Sequence, residues 1–349
     1  MLALTLLLSA ALGATPVEPA APPDPARPLV TFEGTCDASG AVELSDGRFL
    51  VGDDENNVLR VYDSRQGGGP VRTFDLSPAL GLPPGKKQQS PETDIEAATA
   101  IPPLAFWLTS HGRRSSGQAD ANRLRFFATR QAADGQALQL EGKPYTRLLD
   151  DLLAAPQLQT YGLAEAVGRA PKQEGGFNLE GMTVMADGKS FLIGFRNPRP
   201  AGKALAVSLL NPVEMVNGEP AQLGPVVLLD LGGQGIRSMT RWRGRYLIIG
   251  GSPSGNDGSR LFVWDGTAEK PTPVEGADFT GLNPEAFVSY ENEDKILVLS
   301  DDGTHKIDGV ECKRLKDPTR KRFRGVWVSP IDNAPRTATE TNSADTSQP

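Results

Sequence analysis

Three glutamates, Glu96, Glu180 and Glu285, occupy the same place in a recurring hexapeptide, which makes this the chemically richest pattern in the chain. The five copies are DASGAV from Asp37, DIEAAT from Asp94, NLEGMT from Asn178, GIRSMT from Gly235 and NPEAFV from Asn283; Ser39 and Arg237 fill the third position in the other two. Brought together in a narrow ring, three carboxylates and one guanidinium sum to about −2, and like charges at that range raise one another's pKa unless a cation intervenes. Two arrangements satisfy them. A hard cation such as calcium, which takes six to eight oxygens, can sit on Glu96, Glu180 and Glu285 with help from Asn178, Asn283 and Asp94. Otherwise Arg237 ties the glutamates together. In either arrangement Glu96, Glu180 and Glu285 are candidate catalytic groups that activate water. The plainer alternative is that they cap loops and accept backbone N–H bonds.

A second set of polar residues follows each hexapeptide by roughly one hairpin: Asp53 and Asp54, His111 and Arg113, Arg196 and Asn197, Ser252, and Asp301 and Asp302. His111 beside carboxylates is a candidate general base, although a lone loop histidine is the commoner situation. Arg113, Arg196 and Arg237 suit a carboxylate or phosphate group, with Asn197, Asp53 and Asp301 as further ligand-binding candidates. Together they point to a small-molecule ligand or substrate, anionic if the arginines receive it. No GxSxG, HExxH, Walker loop or CxxC occurs, and GGQGIR lacks the spacing of a dinucleotide fingerprint.

The elements that must position these residues are strands. The third hexapeptide positions lie 57, 84, 57 and 48 residues apart, the period of propeller blades. After each hexapeptide comes a turn (SDGR, ADGK, RWRGR, ENEDK), then an apolar run (FLVGDD, FWLTSH, FLIGFR, YLIIGG, ILVLSD), then a third strand such as NVLRVYD or RFRGVWV. Fourth strands are expected at VRTFDL, ALQLEG, PVVLLDL and TPVEGADF. The last unit lacks one, and LVTFEG near the N-terminus has no unit of its own, so that strand should close the ring and remove the open sheet edge. The expectation is an all-β protein, a β-propeller of five four-stranded blades, or six if one repeat has decayed. In such a meander the start of strand one and the end of strand two share a face, so both residue sets should converge on the channel mouth. One stretch, about 145–170, carries apolar residues at helical spacing (Leu148, Leu149, Leu152, Leu153) and reads as a helical insertion between the second and third blades.

Composition agrees. Glycine (38) and proline (29) are abundant, which favours short strands and turns over helices. A net charge of −7 with dispersed basic residues argues against a nucleic-acid partner. Residues 1–13 read as a signal peptide, too short in apolar length to span a membrane, and residues 14–28 as a proline-rich linker. A single domain over 29–330 and a polar, disordered tail over 331–349 complete the expected layout, with export to the periplasm or beyond. Cys36 and Cys312 either pair across the two ends of the domain or remain as buried thiols.

The segments EGTCDASGAV, TDIEAA, SHGR, NLEGM, GFRNP, GIRSM and NPEAF, spread from Phe32 to Val328, together resemble a bacterial family of domains of unknown function, number 3616. The chain is also distantly similar to esterase-like phytase propellers, whose repeats carry a Glu-Gly pair at blade starts. The first resemblance implies an exported propeller with no assigned reaction. The second implies hydrolysis of a phosphoester or ester, by fold analogy alone. The functional expectation is therefore a ligand-engaging propeller, acting as a hydrolase on an ester, lactone or phosphoester, or else as a non-catalytic binding module of the cell envelope.

Overall fold

The computed structural model describes residues 29–83, 90–131, 137–254, 258–290 and 293–330; the expected signal peptide, linker and tail lie outside them. The chain opens with β1 (Leu29–Glu33) and then lays down four meanders. The first contains β2 (Ala38–Glu43), β3 (Arg48–Asp53), β4 (Val58–Asp63) and β5 (Arg72–Asp75). The second contains β6 (Ile95–Ile101), β7 (Leu104–Thr109), β8 (Phe126–Gln131) and β9 (Leu138–Tyr145). The third contains β10 (Asn178–Val184), β11 (Phe191–Asn197), β12 (Ala204–Leu209) and β13 (Leu223–Leu229). The fourth contains β14 (Gly235–Trp242), β15 (Arg245–Gly251), β16 (Arg260–Trp264) and the short β17 (Thr272–Pro273).

The fifth sheet begins with β18 (Pro284–Ser289) and β19 (Ile296–Ser300). A small hairpin, β20 (Lys306–Ile307) and β21 (Val310–Glu311), precedes its third strand, β22 (Arg322–Val328). Its fourth strand is β1, giving the order β1-β22-β19-β18. All blade pairings are antiparallel, and the protein is a five-bladed β-propeller closed by its N-terminal strand. Apolar side chains explain why β1 goes there. Phe32 is fully buried, stacked on Phe323 at 4.9 Å and edge-on to Phe49 at 5.2 Å, so one ring joins the fifth blade to the first. Burying such a ring contributes about 1.5–3 kcal/mol. The Cys36–Cys312 disulfide fastens the same seam just beyond β1, packed with Ile307 and Leu315.

The recurring hexapeptide has a structural cause. In every innermost strand the pairing register slips at the third position: at Ser39 between Ala38 and Gly40, and likewise at Glu96, Glu180, Arg237 and Glu285. Each of these residues is therefore the extra residue of a β-bulge, which frees its side chain from the alternating pattern of the sheet. The small residue that follows permits close approach between blades. A Cβ on Gly40 would lie 2.9 Å from the carbonyl carbon of Ala97 in the next inner strand.

The expected insertion is present as α1 (Leu148–Ala154), a 3-10 segment (Pro156–Tyr161) and α2 (Leu163–Ala166). Leu148, Leu152, Leu158 and Leu163 are buried in one cluster with Phe177, Leu179 and Phe195 of the third blade. A further short helix, α3 (Pro212–Val216), supplies Met215 and Val216 to that cluster.

Candidate functional site

The five bulge residues form a chain of contacts from blade to blade. Ser39 donates to the carbonyl of Ile95, one residue before Glu96. One carboxylate oxygen from each of Glu96, Glu180 and Glu285 lies within 4.8 Å of the others, and all three side chains are buried. Arg237 stands between two of them: its Nη2 is 2.6 Å from Glu285 Oε2 and its Nε is 3.7 Å from Glu180 Oε2. Glu180 Oε1 accepts bonds from Arg196 Nη1 at 2.7 Å and from Asn178 Nδ2 at 2.5 Å. Both arginines are almost fully buried.

This pairing leaves one carboxylate over. Arg196 answers Glu180 and Arg237 answers Glu285, but Glu96 makes no ion pair among the described residues, and its buried Oε2 receives no hydrogen bond. Burial, with Glu180, Asp94 and Glu285 nearby, pushes Glu96 well above the usual carboxylate range. Burial also raises Glu180, against the opposing pull of Arg196 and Arg237. Three more acceptors at this place are buried and without a hydrogen-bond donor, Glu180 Oε2, Asn178 Oδ1 and Glu285 Oε2, the last in ion-pair contact with Arg237. Unanswered buried acceptors are costly, and a cation or a set of donors is what satisfies them.

A second acidic group adjoins the first. Asp37, Asp53 and Asp54 each place a carboxylate oxygen within 4.8 Å of the other two. Burial, then Asp301 and Asp53, push Asp37 up to about 9. Asp54 is raised well above its ordinary value by burial and by Asp301, Asp37 and Glu96, so the two acidic groups feel each other. Asp301 is pushed up to about 7 by burial and Glu285, while it accepts from Gly303 N at 2.8 Å and Asn283 Nδ2 at 2.9 Å.

The remaining sequence candidates divide by what already engages them. Asn178 keeps its oxygen free, whereas Asn283, expected as a metal ligand, spends its Oδ1 on Arg237 at 2.6 Å. Asp94, also considered for the cation, pairs with Arg123 at 2.7 Å. Asp53 is held by Thr35, Glu55 N and Arg60, and so serves as an anchored corner of the second acidic group. The arginines expected to receive an anion are engaged inside the protein. Arg196 and Arg237 neutralise ring carboxylates, and Arg113 donates to the carbonyls of Val167 and Gly117 at 2.7 and 3.0 Å. Asn197 is fully buried and donates to the carbonyls of Pro171 and Gln173, pinning the end of the helical insertion beside the third blade.

His111 follows β7 with φ of 54° and is 2% exposed. Its Nδ1 lies 2.7 Å from the Thr109 carbonyl, which can only accept, so Nδ1 carries the proton and Nε2 is left as an unpartnered buried base. Burial lowers its pKa to about 4. Sequence reasoning missed Arg123, which neutralises Asp94 and Glu92, because it lies in a run read simply as strand. The glycine that opens the fourth hexapeptide carries no signal of its own in the sequence pattern. A Cβ on Gly235 would fall 1.9 Å from the Arg196 carbonyl oxygen, so the position must be glycine for Arg196 to sit in the ring.

No helix among the described residues is long and apolar enough to cross a membrane. A family model described as "Protein of unknown function (DUF3616)" matches residues 117–295. No curated protein matches the chain. Among solved structures it is similar to glutaminyl cyclase from Myxococcus xanthus, at 10% identity over 86% of this chain and 94% of that one, with a TM-score of 0.44. It is similar also to the PQQ-bound aldose sugar dehydrogenase from Streptomyces coelicolor, at 11% identity over 88% and 100% of the two chains, TM-score 0.41. A GH43 β-1,3-galactosidase with galactodeoxynojirimycin gives 10% identity over 83% and 90%, TM-score 0.46. At these identities the likeness concerns the fold and says nothing of a reaction.

Proposed function

The chain belongs to the DUF3616 family of proteins of unknown function, and we propose that its propeller channel holds a hard divalent cation such as calcium and engages a small ligand there. The observation that carries this reading is Glu96. It is a buried carboxylate with no counter-ion among the described residues, beside two glutamates whose own charges are already answered by Arg196 and Arg237. Glu96 Oε2, Glu180 Oε2 and Asn178 Oδ1 offer the hard oxygen donors that such an ion prefers. The balance of charge also revises the ligand. With Arg113, Arg196 and Arg237 engaged, an anionic ligand would be drawn by the cation and not by free guanidinium groups.

The reaction we favour is hydrolysis of an ester, lactone or phosphoester. A bound cation would supply polarisation of a substrate oxygen and acidification of water. The chain's own part is to fix the carboxylates at the bulges, to hold Arg196 and Arg237 rigidly between them, and to keep His111 neutral with Nε2 able to take a proton. The alternative of a binding module without chemistry shares the same cation. The Cys36–Cys312 disulfide supports an exported location, since such pairs persist in oxidising compartments.

Calorimetric titration of the metal-depleted protein with calcium tests the cation, and saturable binding from which Glu96→Gln removes the ring ion is expected. Absence of heat and of any thermal shift refutes it. A panel of chromogenic esters, lactones and phosphoesters, assayed with calcium and with chelator, tests the reaction. Calcium-dependent turnover supports a hydrolase, and calcium binding without turnover supports the binding module.

A further inference from the structure

The second acidic group stands on elements distinct from the glutamate ring. Asp37 precedes β2, Asp53 ends β3 with Asp54 just after it, and Asp301 follows β19 and bridges to Asp37 through the backbone. Its members are not all satisfied. Asp37 is 3% exposed, and burial with Asp301 and Asp53 close by opposes its charge. Asp54 Oδ1 is buried and without a donor. Asp53, in contrast, is locked in place by Thr35, Glu55 N and Arg60. The site is closely framed: a Cβ on Gly303 would fall 1.7 Å from Asp37 Oδ1. Lys313 is the nearest ammonium, and it is committed to Glu55 at 2.9 Å on the more exposed side. The disulfide at Cys36, adjacent to Asp37, fixes this corner from behind.

We infer that Asp37, Asp53 and Asp54 form a second divalent-cation site beside the glutamate ring, so that the channel mouth takes two hard cations. This deepens the single-cation reading of the ring but stands on its own residues. Three carboxylate oxygens within 4.8 Å of one another, one of them the orphaned Asp54 Oδ1 and one the anchored Asp53, are the donor set of a hard cation, and Lys313 alone cannot reach the charge balance while it is paired with Glu55. A pair of cations would also fit a site that must clamp a charged or polar substrate from two directions.

The test is binding stoichiometry on the full, disulfide-intact chain, with calcium as the probe in flow dialysis. Wild type should bind two ions, Glu96→Gln one, Asp54→Asn one, and the double variant none. Asp37→Asn provides an independent removal should Asp54→Asn fold poorly, with circular dichroism and the melting transition as folding checks. Terbium gives a second readout, because Trp107 packs against Gly52, next to Asp53, and should sensitise an ion held there. That emission should persist in Glu96→Gln and fall severalfold in Asp54→Asn. One ion in wild type, lost in Glu96→Gln and untouched by Asp37→Asn and Asp54→Asn, overturns the second site while leaving the ring reading intact. One ion lost in Asp54→Asn but kept in Glu96→Gln upholds the second site and removes the first. No ion at all overturns both.

Discussion

Replacing Glu96 with glutamine should change stability in opposite directions with and without calcium. The shape is nearly unchanged, so the perturbation is the loss of one ionisable carboxyl. In the metal-free protein that carboxyl is a liability, because folding must either bury its charge or hold it protonated: it is buried, it has no cationic partner among the described residues, and Glu180 and Glu285 lie within 4.8 Å. Removing an uncompensated buried group relieves about 1–3 kcal/mol. For a domain of this size that corresponds to a melting temperature raised by roughly 2–6 °C in chelator. With calcium at a hundred times its dissociation constant, wild type gains about 2.7 kcal/mol by mass action, and the variant forfeits the share contributed by the Glu96 site. The wild-type protein should then melt at or above the variant. Scanning calorimetry of both proteins, in chelator and in calcium, reads all four values. If Glu96→Gln lowers the transition equally in both buffers, the carboxylate is a satisfied structural group and the reasoning is wrong.

Closing the ring through β1 makes Phe32→Ala costly, about 3–5 kcal/mol by chemical denaturation, because its ring is buried between the first and fifth blades. Exchanging Cys36 and Cys312 for serine should lower stability by about 2–4 kcal/mol in non-reducing buffer, and reductant should then have no further effect on the variant. Gly235→Ala should cost about 1–3 kcal/mol and weaken calcium binding, since the added methyl meets the backbone oxygen of Arg196. His111 gives a pH signature. Its folded pKa, about 4, lies below the unfolded 6.5, so the unfolded chain takes up a proton first and stability falls as pH drops from 6.5 to 4, by about 3 kcal/mol in all. His111→Asn, which tolerates the positive φ and retains a donor for Thr109, should flatten that part of the denaturation-versus-pH curve; an unchanged curve would assign the acid sensitivity elsewhere.

The propeller was legible because its architecture repeats in the primary structure. Each inner strand needs a bulge at the channel and a small residue where the next blade comes close, and those two demands leave the hexapeptide visible in sequence. The unpaired LVTFEG strand and the short last unit likewise forced ring closure. The site was legible only in outline. Spacing placed Glu96, Glu180 and Glu285 on one face, but it carries no information on which arginine answers which carboxylate. Arg196 and Arg237 therefore looked free to take an anion, and they are ion-paired with Glu180 and Glu285. Arg113 and Asn197, expected as ligand groups, hold backbone carbonyls, those of Val167, Pro171 and Gln173 belonging to the long second-to-third-blade connection. Such long-range pairings depend on loop paths that a repeat pattern does not encode. The strand pattern brought Asp53, Asp54 and Asp301 to the channel mouth, but not Asp37, whose bridge to Asp301 forms where the first and fifth blades meet at the closure.

The central claim is that the glutamate ring holds a cation, and anomalous diffraction from crystals equilibrated with terbium or manganese addresses it most directly. A peak between Glu96, Glu180 and Glu285, with Glu96 Oε2 among the coordinating atoms, is the expected result. A ring free of anomalous density, in which Glu96 is bonded only to water or to a protein donor, would contradict it.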